Sequence, residues 1–279
     1  RSRRLGHGGH AARVRDTPVI DFLLEVERRA ASADLASTAA YSLDAGLEGG
    51  SITFAELARL YPYDNTLRAV RISGRQLRAY LEFSARYFRT FAGDTGQTTP
   101  LVNEAIPGYN FDIVAGADYV IDVSRPVGSR LTSLAVKGKP VADTDTFTLA
   151  LNNYRQTGGG GYAMLQGAPV VYDRQQEIRQ LLIDEVARRR TLMPDAYFTP
   201  NWRLEPAGAV ASAYLAMHRN PTERAGGPVR NVPSLGPAGV PRPNPTPIPV
   251  PPGRTLRIIA TNDFHGSFEP RPDSGGVRR

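Results

Sequence analysis

Near the end of the chain, the stretch RIIATNDFHG (Arg257 to Gly266) places Asp263 and His265 two residues apart, just beyond a short apolar run. A carboxylate and an imidazole at the end of a strand is how a metal site often begins. Taken alone, the same spacing is better read as a solvated turn, because no further ligand set follows before Arg279. His7 and His10 sit in a low-complexity start and His218 stands beside a Pro-rich stretch, so each reads as a surface residue. Two other stretches could do chemistry of a different kind. In LYPYDNTL, Tyr61 and Tyr63 flank Pro62 in a turn between a helical and a strand-like pattern. In LNNYRQTGGGGY, Tyr154 follows a strand-like run and is itself followed by Gly158 to Gly161. Glycines let a backbone approach a ligand closely and can aim amides at an anion. The run lacks the Lys and Ser or Thr of a phosphate loop, so it is not one. Two aromatic rings facing each other clamp a flat heterocycle, and such stacking is worth roughly 1–3 kcal/mol per base whatever the base. From spacing alone, a packed turn is the favoured reading of the first stretch, and a flexible loop is the plain reading of the second.

The chain that must position these residues has 279 residues, 41% of them hydrophobic, enough for one large domain or two modest ones. No apolar run is long enough to cross a bilayer, and RSRRLGHGGHAARVRD lacks the apolar centre of a signal peptide. The polar, Gly-rich opening without Met reads as the start of a piece of something longer. The absence of cysteine excludes disulfides, thiolate metal sites and a Cys nucleophile. A formal charge of +7 admits nucleic acid, a membrane surface or phosphorylated small molecules as partners. The arginines are scattered, with no aromatic-spaced basic stripe, so a nucleic-acid partner is not expected.

The first two hundred residues read as α/β (α+β), a mixed sheet flanked by helices. Thr17-Pro18 opens an amphipathic helix through Ile20, Leu23, Leu24 and Val26. Ser51 to Leu57 offers a cap and a short helix, and Thr66 to Ile72 alternates as a half-buried strand. A helix then runs from Ser73 or Gly74 through Leu77, Tyr80, Leu81 and Phe83 to Tyr87. Residues 119–123, 131–136 and 146–151 are further strands, with Gly138 as a hairpin turn, and residues 173–188 read as a helix. From His218 the composition turns to Pro and Gly. Residues 241–252 predict polyproline II, a semi-rigid spacer spanning roughly 37 Å at ~3.1 Å per residue.

Three stretches in order, YPYDNTLRAVRISGRQLRAYLEFSARYF, IPGYNFDIVAGADYVIDVSRPVGSRLTSLAVKGKPV and FTLALNNYRQTGGGGY, resemble the C-terminal, substrate-binding domain of the 5′-nucleotidase family. Within that family they are most similar to the 2′,3′-cyclic-nucleotide 2′-phosphodiesterase/3′-nucleotidases and related multifunctional phosphoesterases. The resemblance covers residues 16–217 and leaves residues 1–15 as a tail of uncertain standing. It implies that Tyr63 and Tyr154 clamp the base, that Asn65 and Asn110 line its pocket, and that Asn153, Gly159 and Gly160 of the second loop touch the nucleotide. Two departures argue against a dedicated 5′-nucleotidase. Ser37 to Leu43 lacks the GGIR motif whose Arg binds phosphate in those enzymes, and Gly160 stands where they carry an Asp for the ribose.

LRIIATNDFHG in turn resembles the first motif of the family's metallophosphoesterase domain, which makes Asp263 and His265 metal ligands. Carboxylate and imidazole suit Mn, Zn or Fe, and two such ions generate hydroxide for displacement at phosphorus. The remaining ligands lie beyond Arg279, so the divalent metal pair is expected in the full-length parent and not bound tightly by this piece. Residues 218–254 then form a linker, and residues 255–279 the first strand and metal motif of a second, truncated unit. The resemblance implies a parent hydrolase that acts on 2′,3′-cyclic nucleotides and 3′-nucleotides in periplasmic, secreted or cell-surface salvage. Its partners would be nucleotides or nucleosides and the metallophosphoesterase domains of the same polypeptide. No catalytic residue is identified in the chain itself. The alternatives are a 5′-nucleotidase or UDP-sugar hydrolase, and a non-catalytic nucleotide-binding module.

Overall fold

The computed structural model describes residues 11–42, 44–47, 50–93 and 101–210, all within the first of the two units into which the chain divides, Arg1–Val229. The linker and the Asp263/His265 motif lie outside the described residues.

Helix α1 (Pro18–Ala30) opens with Pro at its first turn, where a missing N–H costs nothing. Its apolar stripe of Val19, Ile20, Phe22, Leu23, Leu24 and Val26 is buried against strand β1 (Leu35–Ala39). Helix α2 (Phe54–Leu60) is closed by a capping box in which Thr53 accepts from Glu56 N and Glu56 accepts from Thr53 N. Strand β2 (Thr66–Ser73) runs directly into α3 (Gly74–Ala85), whose capping box pairs Ser73 with Gln76. Reciprocal caps of this kind satisfy two donors that the first helical turn would otherwise leave bare. Gly74 is obligatory at this junction, since a Cβ would sit 2.7 Å from Val141 Cγ1.

The remaining strands are β3 (Asp112–Ala115), β4 (Ala117–Asp122), β5 (Leu131–Val136), β6 (Lys139–Pro140), β7 (Thr146–Asn152), β8 (Val170–Glu177) and β9 (Trp202–Glu205). Between β7 and β8 lies the single helical turn α4 (Asn153–Gln156), and after β8 comes α5 (Ile178–Arg189). The strands form two sheets, ordered β3-β1-β7-β2-β8 and β6-β5-β4-β9, which gives the expected mixed sheet flanked by helices in two parts. Both are mixed: β1 is parallel to β7 and β4 to β9, and the other pairs are antiparallel. Lys137 and Gly138 both take positive φ in the β5–β6 turn, the geometry that suits a two-residue hairpin.

Residues 173–177 and 11–15 differ from the sequence-based expectation, and β1 was not anticipated. Residues 173–177 are strand, not the start of a helix: β8 extends Val170-Val171-Tyr172 along β2 as an exposed edge, and the helix begins only at Ile178. The polar DRQQE segment has no inward face, so its periodicity says nothing, and pairing to β2 decides its conformation. β1 takes five successive buried residues without alternation because both of its faces are covered. Residues 11–15, set aside as a tail, belong to the folded unit. Ala11, Ala12, Arg13 and Val14 are buried, and Arg15 bridges to Arg203 of β9.

An aromatic cluster contributes much of the core. Phe111 meets Tyr87, Phe88 and Trp202, and Trp202 stacks on Tyr119. Arg130, fully buried, donates to the carbonyls of Ala85 and Phe88, capping the end of α3 with a cation where the helix dipole favours one.

Candidate functional site

The strand register gathers one end of the larger sheet. Leu67 pairs with Asn152, Ala36 with Ala150 in the same direction, and Ala39 with Asp112. The C-terminal ends of β1 and β7 therefore meet the N-terminal ends of β2 and β3. Tyr41 follows β1, Tyr63 and Asn65 precede β2, Tyr109 and Asn110 precede β3, and Tyr154 follows β7. Stretches far apart in the chain are adjacent here.

Arg155 and Asp112 form the centre of this end. Both are almost fully buried, and they pair through Nε to Oδ2 and Nη2 to Oδ1, each at 2.8 Å. The other guanidinium hydrogens reach Tyr109 O at 2.9 Å, Gly159 O at 2.6 Å and Asn110 Oδ1 at 3.3 Å. Every N–H of the side chain is thereby used. Asp112 also accepts from the Tyr80 hydroxyl, which in turn meets Ser37 Oγ at 2.8 Å. Burial opposes the Arg155 charge, but Asp112 and the Tyr80 and Tyr162 phenols together outweigh it and raise its pKa. Tyr162 lies under the guanidinium, 4.1 Å from ring centroid to Cζ, and donates to Asn110 O. This arrangement ties the Gly-rich loop to the Gly108–Asn110 turn.

Above this ion pair the large side chains are exposed. Tyr109 and Tyr154 are 40% and 39% exposed, whereas Tyr61, Tyr80, Tyr87 and Tyr162 are buried completely. Tyr63 is half-buried, with its ring edge-to-face against Tyr41 at 5.1 Å. Burial raises the pKa of its phenol, and the Tyr109 and Tyr154 phenols add to that rise. Gly159 is packed on Tyr154: an added Cβ would lie 2.7 Å from two of its ring carbons and 2.5 Å from its carbonyl oxygen. Gly160, at φ 73°, would drive a Cβ into Arg155 and Asn110 Oδ1. The glycines are thus needed for close packing and for a left-handed backbone, which an L side chain resists.

The fold places the sequence-derived candidates unequally. Asn110, Tyr154, Gly159 and Gly160 come together around Arg155, and Tyr63 stands at the same sheet end, packed on Tyr41. Asn110 is 8% exposed, with its Oδ1 on Arg155. Asn65 faces inward toward the buried Tyr61 hydroxyl, which it influences, and its carbonyl accepts from Ile178 N at the head of α5. Asn153 spends its Oδ1 on Thr66 N at 3.1 Å, fastening β7 to the start of β2. Asn152, which sequence reasoning passed over, caps α4 by accepting from Arg155 N at 2.7 Å and donates to the Tyr41 hydroxyl at 3.2 Å. Tyr41, Tyr109, Asp112 and Arg155 were also missed. The available signal was an Asp at the end of the GYNFD turn and an Arg directly after Tyr154, and nothing in the sequence shows that they meet.

Among the described residues no group of three or more His, Cys, Asp or Glu side chains could hold a metal ion. No described helix is long and apolar enough to cross a membrane. A cleft lined by Asp122, Ser124, Glu205 and Pro206 lies at the C-terminal ends of β4 and β9 and gathers none of these side chains.

Comparison with known proteins agrees with the geometry. A family model described as 5′-nucleotidase, C-terminal domain, matches residues 5–167. The trifunctional nucleotide phosphoesterase YfkN of Bacillus subtilis is 32% identical over 172 residues, covering 57% of this chain and 12% of that protein. The 2′,3′-cyclic-nucleotide 2′-phosphodiesterase/3′-nucleotidase of Salmonella typhimurium is 32% identical over 196 residues, covering 64% of this chain and 30% of that one. The chain thus spans less than a third of the length of either relative. Among solved structures, a Staphylococcus aureus protein assigned as a 5′-nucleotidase superposes with a TM-score of 0.61 at 29% identity, over 74% of this chain and 39% of that one. A family match over more than half of its length shows that the chain belongs to the 5′-nucleotidase C-terminal domain family.

Proposed function

We propose that the described unit is the nucleotide-binding, substrate-specificity domain of a phosphoesterase whose full-length form hydrolyses 2′,3′-cyclic nucleotides and 3′-nucleotides. The observation that carries this reading is the collection of half-buried Tyr63 with exposed Tyr109 and Tyr154 at one sheet end that also holds a fully hydrogen-bonded Arg155–Asp112 pair. Exposed aromatic rings on a rigid base are suited to stacking a heterocycle, and the buried ion pair fixes the turns that carry them. Tyr63 and Tyr154 hold the base, with Asn65, Asn110, Asn153, Gly159 and Gly160 around it.

The reading extends to the rest of the chain. Residues 218–254 are a spacer, and residues 255–279 open a second metallophosphoesterase unit in which Asp263 and His265 take a divalent metal. Those two residues supply only part of a metal site, so hydrolysis belongs to the parent polypeptide, working in the periplasm or outside the cell. The similarity to YfkN and to the cyclic-nucleotide phosphodiesterase supports this substrate class over a dedicated 5′-nucleotidase. So does the stretch from Ser37 to Leu43, which carries no arginine where the GGIR motif would stand.

The test is calorimetric titration of the chain with adenosine, 3′-AMP, 2′,3′-cyclic AMP and 5′-AMP, with Y63A and Y154A alongside. A stacking contribution of roughly 1–3 kcal/mol per base predicts a loss of about 5-fold to over 100-fold in affinity for each variant. Folded Y63A and Y154A proteins that bind like the unmodified chain would overturn the clamp.

A further inference from the structure

Arg86, at the C-terminal end of α3, is a cation without a counter-charge among the described residues. Its guanidinium lies over the Phe83 ring, with Cζ 3.5 Å from the centroid, and its Nη2 donates to Gly160 O at 3.2 Å. Its Nε is out of contact with solvent and has no acceptor. Among the described residues no carboxylate pairs with it. Glu82, one turn earlier, spends both oxygens on the backbone amides of Arg130 and Leu131. Asp112 is taken by Arg155. Burial depresses the Arg86 pKa, and the nearby Arg155 charge depresses it further. A partly buried, unpaired charge is costly to hold, and a counter-ion removes that cost.

The position of this charge relative to the clamp suggests what the counter-ion is. Tyr154 packs on Gly159, and Arg86 holds the carbonyl of Gly160. Ring and guanidinium therefore touch consecutive residues, whose Cα atoms are ~3.8 Å apart across a trans peptide. A group one sugar ring away from a base on Tyr154 falls within reach of Arg86. The side-chain-free Gly160 and Gly161 leave the loop without a carboxylate that would repel an anion.

We infer that Arg86 is the phosphate-recognition residue of this site, taking an oxygen of the phosphate on a nucleoside phosphate whose base stacks on Tyr154. The inference rests on the nucleotide-binding reading above and adds the residue that separates nucleotide from nucleoside. A guanidinium suits this task because its planar fork meets phosphate oxygens in fixed geometry, which an ammonium does not match.

The test measures adenosine, 3′-AMP and inorganic phosphate on the unmodified chain, R86Q and R86K by calorimetry and thermal shift. A charge-assisted hydrogen bond predicts that 3′-AMP binds the unmodified chain at least ~10-fold more tightly than adenosine. R86Q should abolish that increment, so that 3′-AMP and adenosine bind alike, and R86K should restore part of it. A measurement that needs no variant is the salt dependence. Affinity for 3′-AMP should fall between 50 and 200 mM salt, on the order of the Debye-screening range, while adenosine affinity stays level. An R86Q protein that keeps the preference for 3′-AMP, or equal salt dependence of the two ligands, overturns the assignment and leaves the clamp standing. Failure of adenosine to bind at all removes the clamp instead. In that case, stabilisation by inorganic phosphate of the unmodified chain but not of R86Q still upholds the Arg86 site, and no such difference overturns it.

Discussion

Replacing Arg155 with lysine tests the ion pair beneath the site while keeping its charge. The guanidinium meets Asp112 through two bonds of 2.8 Å and reaches Tyr109 O, Gly159 O and Asn110 Oδ1 with its remaining hydrogens. Lysine has three donors on a single nitrogen, so at least two of these acceptors lose their partner. Each unmet buried acceptor costs about 1–3 kcal/mol, which puts R155K roughly 2–6 kcal/mol below the unmodified protein. R155M, which also leaves Asp112 as a buried charge without a counter-ion, should lose still more, since breaking a buried pair alone costs about 3–5 kcal/mol. The assay is urea unfolding followed by the fluorescence of Trp202, the only tryptophan in the chain and 5% exposed. For a domain of this size, a loss of 3 kcal/mol corresponds to a fall in melting temperature of about 6–12 °C. An R155K protein within ~0.5 kcal/mol of the unmodified chain, or one less stable than R155M, would refute the claim that these hydrogen bonds hold the turns together.

Two further outcomes follow from the packing. Asp21 is 4% exposed and accepts from Thr199 N at 2.8 Å, with its pKa pushed up to about 8 by burial and by the neighbouring Asp16. The folded state then holds a proton that the unfolded chain releases near pH ~4. Stability is full below that pH and declines as the pH rises through about 8, by up to ~1.4 kcal/mol per unit. D21N keeps an acceptor for Thr199 and should flatten this slope between pH 5 and 8; an unchanged slope assigns the proton elsewhere. G159A introduces a methyl 2.7 Å from two Tyr154 ring carbons, at a backbone conformation alanine accepts. It should cost about 1–3 kcal/mol as an overpacked site does and weaken 3′-AMP binding by displacing the ring. Calorimetry showing unaltered affinity would mean that Tyr154 does not stack on the ligand.

Local chemistry settled a good part of this protein in advance. Thr17-Pro18 starts α1, the Ser73/Gln76 cap starts α3, and the alternation in Thr66 to Ile72 makes β2, because each depends on residues within a turn or two of one another. The two tyrosine-bearing turns and the glycine run were also visible, since an aromatic beside a turn and successive glycines are rare enough to stand out. What could not be read is whatever depends on distant pairing. The polar DRQQE segment carries no periodicity, so only the neighbouring β2 makes it a strand. The smaller sheet is completed by β9 pairing in parallel with β4 across some eighty residues. Asp112 and Arg155 are ordinary charges in sequence, and they become the centre of the site only because β3 and β7 flank β1 at the same end. Arg86 is one arginine among many until the fold sets it beside Gly160, where no carboxylate among the described residues pairs with it. The sequence specifies elements through contacts between near neighbours; charge pairing, burial and the gathering of a site need the sheet order, because only closure of the tertiary structure brings those groups within a few ångströms and removes the water between them.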